Sequence, residues 1–209
     1  SSNLNNCIQT SKADTGICLR LNQTPRHGFW EKHLYMNYFE FFQLPISFQV
    51  DDDALRKAFY ANSKKYHPDF YTLEPEDKQA EILELSTTNN QAYHTLADFD
   101  KRIRYILELK GYWAEEGQNQ LPNDFLADMM DINEAIMELD FDFDEKKMLE
   151  TRQAVAALEQ ELWDSVLPVF QQFDQNPDDA SLLAAVKDYY LKKRYLLRIK
   201  ENLSKFASL

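Results

Sequence analysis

The chain reads Leu55-Arg-Lys-Ala-Phe-Tyr-Ala-Asn-Ser-Lys-Lys-Tyr66 and continues directly with His67-Pro68-Asp69. Proline cannot continue a helix, and it disfavours helical geometry at the residue before it. We therefore expect a helix that ends near Tyr66 or His67, with His67 and Asp69 on the turn beyond it. Polar side chains at an exposed bend beside a positively charged helix indicate a contact site.

The predicted helix has a basic face. Between Leu55 and Tyr66 it carries no acidic residue and four basic ones, which are Arg56, Lys57, Lys64 and Lys65. The complement of such a face is an acidic protein surface, and attraction between the two should be sensitive to salt. Basic faces alone are common on solvated helices, so the adjoining His-Pro-Asp sequence is what favours a binding site here.

Composition limits the possible classes of protein. A hydrophobic fraction of 44% in 209 residues is enough for a packed core, and only 4 Gly and 7 Pro are few for an all-β protein. The formal net charge of −12 argues against non-specific nucleic-acid binding. No run of 18 apolar residues predicts a membrane span, and the start of the chain lacks a signal-peptide pattern. A cytoplasmic location is therefore the default expectation.

Residues 1–35 are rich in Asn, Ser and Thr and show no sustained period, so we predict a disordered N-terminal extension. Both cysteines, Cys7 and Cys18, lie in this segment, which excludes a disulfide framework for the rest of the chain. Their spacing makes a poor zinc site, and we predict no metal and no cofactor. The abrupt change at Met36 suggests the hypothesis that Met36 is the natural start.

The rest of the chain predicts an all-α protein. A short aromatic helix precedes Pro45, Asp51 is a plausible N-cap of the basic helix, and a further helix begins after Pro75. Another is expected to stop at Gly111. Residues 112–123 have the composition of a linker, and three longer helices then suggest an antiparallel bundle. The predicted divisions are 1–35, 36–111, 112–123 and 124–209.

The first helix after the linker is acidic, since no Lys or Arg occurs from Glu115 to Glu145. It carries two apolar stripes at helical spacing. One consists of Phe125, Met129, Ile132, Ile136 and Leu139, and the other of Leu126, Met130 and Met137. If only the first stripe is buried, methionine and leucine surrounded by carboxylates would form an adaptable protein-binding surface. Alternatively, both stripes belong to the core of the bundle.

Three motifs resemble a J-domain over roughly Asn37–Gly111. They are Tyr38-Phe-Glu-Phe-Phe-Gln-Leu-Pro45, Asn62-Ser-Lys-Lys-Tyr-His-Pro-Asp69 and Asn89-Asn-Gln-Ala-Tyr-His-Thr-Leu96. The resemblance implies an antiparallel helix pair that docks on a DnaK-type chaperone and stimulates its ATPase. By this resemblance, His67, Pro68 and Asp69 form the stimulating turn, and the four basic residues contribute electrostatic docking.

The whole arrangement, a J-domain followed by an acidic three-helix bundle, is similar to the HscB family of co-chaperones in iron–sulfur cluster assembly. Phe125-Leu-Ala-Asp-Met-Met-Asp-Ile-Asn-Glu134 resembles the segment by which that family holds its scaffold protein, IscU. This implies that Leu126, Ala127, Met130, Asp131 and Glu134 face the client. It further implies an HscA-like or DnaK-like partner that hydrolyses the nucleotide, so the chain itself is predicted not to be an enzyme.

Two other functions remain open at this point. One is a general J-domain co-chaperone whose bundle binds unfolded clients. The other is a helical adaptor protein with no chaperone partner. The sequence contains no Walker-type glycine-rich loop, so nucleotide hydrolysis by the chain alone is not expected.

Overall fold

The computed structural model of the chain describes residues 36–113 and 120–208. Within these ranges the secondary structure is helical and contains no strand, so the predicted all-α class is confirmed. The predicted disordered extension, with Cys7 and Cys18, lies outside the described residues, as does 114–119 in the predicted linker. None of the described helices combines the length and apolar character that crossing a bilayer requires.

The described ranges contain eight α-helices. Their bounds are α1 Tyr38–Phe41, α2 Asp52–Lys65, α3 Glu76–Ala97, α4 Phe99–Leu109, α5 Asn123–Asp128, α6 Met130–Phe141, α7 Glu145–Phe173 and α8 Ala180–Ser204. Two 3-10 segments accompany them, Pro68–Tyr71 after α2 and Lys205–Ser208 after α8. The long helix predicted to begin near Asp124 is divided into α5 and α6 at one residue, Met129.

Local signals explain where the helices begin and end. The carboxylate of Asp51 accepts hydrogen bonds from the backbone N–H groups of Asp53 and Ala54, which confirms the predicted N-cap of α2. Gly111 ends α4 in the left-handed region at φ 73°. Its N–H donates to the Glu108 carbonyl, an arrangement that glycine adopts without the steric cost of a Cβ.

Helices α2 and α3 pack against each other as a hairpin and, with α1 and α4, bury an aromatic and aliphatic core. The same core continues into the long C-terminal helices. Phe48, which precedes α2, packs on Phe170 and Phe173 of α7 with ring centroids 5.1 and 4.5 Å away. Ion pairs cross at the same junction, since Lys193 of α8 pairs with Asp100 of α4.

A second buried cluster joins α5 and α6 to α7 and α8. Phe125, Met129 and Ile132 lie inside it, and the ring of Phe125 meets Tyr195 of α8 edge-on at 5.8 Å. The described residues from 36 onward form one compact unit. The division of the chain into domains at 112–123 stays a prediction. Residues before and after that segment pack into one shared core.

Candidate functional site

The turn after α2 is held by short-range hydrogen bonds. Helix α2 ends at Lys65, and Pro68 opens the 3-10 segment, as its fixed φ and missing N–H permit. The hydroxyl of Tyr71 donates to the Lys65 carbonyl oxygen at 2.9 Å, which ties the end of the turn back to the end of the helix. We call residues His67, Pro68 and Asp69 the His-Pro-Asp turn; all three are exposed.

Inside the His-Pro-Asp turn the imidazole and the carboxylate lie close together. The Nδ1 atom of His67 accepts the backbone N–H of Asp69 at 3.3 Å and lies 3.7 Å from the Asp69 carboxylate. Because Nδ1 accepts a hydrogen bond, the neutral imidazole carries its proton on Nε2. The His-Pro-Asp turn therefore presents a hydrogen-bond donor, the Nε2–H of His67, and an acceptor, the Asp69 carboxylate, to a partner.

The four basic residues Arg56, Lys57, Lys64 and Lys65, which we call the basic face, are exposed on α2. Among the described residues none of them forms an ion pair with a carboxylate. Other cations are engaged, as Lys110 is with Asp178 at 2.6 Å. The basic face therefore keeps its charges available to an external acidic surface.

A buried amide fixes the helix that carries this site. Asn89 of α3 donates from Nδ2 to the Phe59 carbonyl oxygen at 3.2 Å and to the Ser63 hydroxyl at 3.0 Å. Asn89 is only 1% exposed, so these bonds form away from water. They hold the last turns of α2 against α3, immediately before the His-Pro-Asp turn.

The second site is on α5 and α6. The stripe of Phe125, Met129, Ile132, Ile136 and Leu139 is buried, as predicted. Leu126 and Met130 of the other stripe are exposed by 39% and 68%. Their exposure excludes the alternative in which both stripes belong to the core.

We call Leu126, Ala127, Met130, Asp131 and Glu134 the α5–α6 surface; all five are exposed. The carboxylates of Asp131 and Glu134 have no ion-pair partner in the described ranges. The surface therefore combines a flexible thioether, an aliphatic side chain and negative charge. Such a surface suits a protein partner with apolar and basic groups.

Sequence reasoning did not identify the supporting residues. Asn89 lies at helical spacing from the apolar residues Leu85, Ala92 and Leu96, and a polar residue in such a position is a signal for a hydrogen bond between helices. Tyr71 gave no signal, because its bond to Lys65 depends on the conformation of the turn. No three His, Cys, Asp or Glu side chains are arranged to hold a metal ion in the part of the chain that the structure describes.

Comparison with known proteins identifies relatives of the chain. The family described as "HSCB C-terminal oligomerisation domain" matches residues 121–204. The co-chaperone protein HscB homolog of Psychromonas ingrahamii is 33% identical over 132 residues, covering 61% of this chain and 78% of that protein. The HscB homolog of Vibrio cholerae is 35% identical over 102 residues, covering 48% of this chain and 60% of that protein.

The solved structure of the human co-chaperone protein HscB is also similar. It is 28% identical, with a TM-score of 0.62, over 83% of each chain. The fold and these relatives define the class of the protein as a co-chaperone, which acts with a chaperone partner. Within that class, the chain belongs to the HscB family.

This membership confirms the predicted family and the predicted role as a co-chaperone. The assignment of individual residues to a chaperone or to a client stays a prediction.

Proposed function

We propose that the His-Pro-Asp turn and the basic face dock on a DnaK-type or HscA-type chaperone and stimulate its ATPase. The exposure of His67 and Asp69 supports this, because both side chains are available to a partner. The basic face supports it as well, since docking there replaces no ion pair with a carboxylate of the described residues. The cytoplasm is the proposed location.

The α5–α6 surface binds an IscU-like scaffold protein. The flexible side chain of Met130 adapts to an apolar patch of the scaffold, while Asp131 and Glu134 attract basic groups around it. The iron–sulfur cluster is the cargo of the scaffold in this scheme. The co-chaperone contributes surfaces for its two partners, and the chaperone carries out the hydrolysis.

Delivery follows from holding both partners on one chain. A scaffold bound to the α5–α6 surface meets the docked chaperone at a raised effective concentration. One observation carries this proposal: the same compact unit exposes the basic face beside the His-Pro-Asp turn and, on other helices, an acidic and apolar surface.

A chaperone ATPase titration tests the proposal. The hydrolysis rate is measured with the full chain alone, with a purified IscU-type scaffold alone, and with both. We expect a rate with both proteins that exceeds the product of their separate stimulations. Stimulation by the chain without any further effect of the scaffold would favour a general J-domain co-chaperone, and an unchanged rate would favour an adaptor.

A further inference from the structure

We propose that the client surface extends along α6 into a second, acidic section that takes a basic, apolar segment of the scaffold. This inference rests on the proposed client binding by the α5–α6 surface. Beyond that surface, Met137 and Phe141 are exposed by 72% and 95%. Phe141 is the last residue of α6, and a phenylalanine so fully exposed to water is unusual in a folded protein.

The alignment of these residues makes them one surface. At about 100° per residue on an α-helix, Met130, Met137 and Phe141 point within roughly 20° of one direction. Glu134 lies about 40° from that direction, between Met130 and Met137 along the axis. The apolar line therefore runs about 16 Å along α6, at about 1.5 Å per residue from Met130 to Phe141.

A groove lies beside the far end of this line. We call it the acidic groove; it has a volume of about 580 Å³. Two apolar side chains, Met137 and Phe141, and four carboxylates, of Glu134, Glu138, Asp142 and Asp144, line it. Among the described residues that line it, Lys147 is the only cation, and it already pairs with Glu138.

The charged side chains that line the acidic groove determine which kind of protein segment it can bind. Asp144 is occupied as the N-cap of α7, where it accepts two backbone N–H groups. Glu134 and Asp142 have no ion-pair partner among the described residues. With four carboxylates and one ammonium, the groove attracts a cationic segment. The exposed ring of Phe141 can hold an arginine or lysine over its face or an aliphatic side chain at its edge.

The methionines offer a direct test on the intact protein. The chain is labelled at its methionine methyl groups and titrated with a purified IscU-type scaffold while NMR spectra are recorded. We expect the Met130 and Met137 signals to shift together and to saturate at the same scaffold concentration. Met129 and Met148 are buried at 0% and 6% exposure and serve as internal controls with smaller shifts.

Binding measurements with variants complete the test. We expect Phe141→Ala to weaken scaffold binding about fivefold to tenfold. Leu149→Ala, which removes an exposed leucine outside the groove, should change it less than twofold. Asp142→Asn should weaken binding about twofold to threefold at low salt, with a smaller effect at high salt.

The outcomes separate this inference from the function on which it rests. If Met130 shifts while Met137 is silent, and Phe141→Ala binds as wild type, the second section is refuted and client binding by the α5–α6 surface stands. If neither methionine responds to the scaffold, both proposals fail. If Phe141→Ala weakens binding and Asp142→Asn does not at any salt concentration, the segment is not a basic one and the proposal is overturned.

Discussion

The side-chain nitrogen Nδ2 of Asn89 donates a hydrogen bond to the carbonyl oxygen of Phe59 at 3.2 Å. This bond joins α3 to α2, and the two residues are 30 positions apart in the sequence. The carbonyl already belongs to the hydrogen-bonded ladder of α2, and the hydroxyl of Ser63 also donates to it at 2.9 Å. Asn89 therefore fixes the α2–α3 hairpin at the level where the basic face approaches the His-Pro-Asp turn. The orientation of the proposed chaperone site depends on this contact.

Removing the amide should destabilise the protein. We expect Asn89→Ala to lower the free energy of unfolding by about 1–3 kcal/mol, because the Ser63 and Phe59 groups lose a buried donor. Urea denaturation followed by circular dichroism measures the change. Asn90→Ala removes an exposed neighbour on the same helix and should stay within about 0.5 kcal/mol of wild type. Equal losses in the two variants would contradict the role of the Asn89 contact.

The hydroxyl of Tyr71 should matter for activity more than for stability. Tyr71→Phe removes the hydrogen bond to the Lys65 carbonyl and leaves the ring in place, so the His-Pro-Asp turn loses one of its restraints. We expect the stimulation of the chaperone ATPase to fall about threefold, as for the loss of one modest hydrogen bond. Tyr112→Phe, beyond Gly111, should leave the stimulation unchanged. Wild-type stimulation by Tyr71→Phe would show that the turn does not need this bond.

The two proposed activities should be separable. Asp69→Ala should abolish ATPase stimulation while scaffold binding and the circular dichroism spectrum stay as in wild type, because the Asp69 side chain is exposed and its contact with His67 lies within the same turn. Met130→Glu should abolish scaffold binding and leave basal stimulation of the ATPase intact. The measurements are an ATPase assay and a scaffold-binding titration on both variants. If Asp69→Ala stimulates the chaperone normally, the assignment of the turn fails.

The basic face should affect affinity for the chaperone. Lys57→Ala combined with Lys64→Ala should raise the co-chaperone concentration needed for half-maximal stimulation about fivefold to tenfold, because two attractive charges are removed. The maximal rate should not change. The difference should shrink as salt rises from about 0.05 to 0.5 M, because screening weakens the attraction.

Lys146→Ala is the control for that experiment, since Lys146 is an exposed cation on α7, away from the basic face. It should leave the half-maximal concentration unchanged. A similar increase for this control would mean that overall charge, and not the basic face, determines the affinity.

Tyr189 should make the stability depend on pH in the alkaline range. Burial, together with the negative charges of Asp100 and Glu159, raises the pKa of Tyr189 from its ordinary value to about 12. In the unfolded chain the phenol ionises near pH 10, so the stabilisation is present below pH 10 and is lost as pH rises from 10 to 12. The contribution of this group is on the order of 2 kcal/mol.

Chemical denaturation at pH 9 and pH 11.5 measures that loss. The free energy of unfolding of Tyr189→Phe should fall less over this interval than that of wild type. Burial also raises the pKa of Tyr105 and Tyr190, so the variant should keep part of the slope. Tyr60→Phe, which changes a tyrosine exposed on α2, should behave as wild type. A Tyr189→Phe curve that matches wild type would contradict the role of this phenol.

Local sequence signals were sufficient for several helix boundaries. Pro68 predicts the end of α2 because a proline ring is incompatible with the next helical turn, and Asp51 and Gly111 predict a beginning and an end for similarly local reasons. The exception is Met129, where the helix predicted from Asp124 is interrupted. The apolar period runs through this position without a break, so no local signal marked it.

The sequence by itself determined the all-α class, the location of the His-Pro-Asp turn and the family, because these depend on residue type and on spacing along the chain. Only the tertiary structure decided which of two apolar stripes is buried, since Phe125 and Leu126 differ little in hydrophobicity. The ring of Phe125 packs against Tyr195, whereas Leu126 lies at the surface. The tertiary structure also decided that Lys110 and Lys193 are paired while Lys64 and Lys65 form no ion pair with the described residues. Pairing depends on carboxylates brought close by folding from more than 60 residues away, and no local pattern encodes that distance.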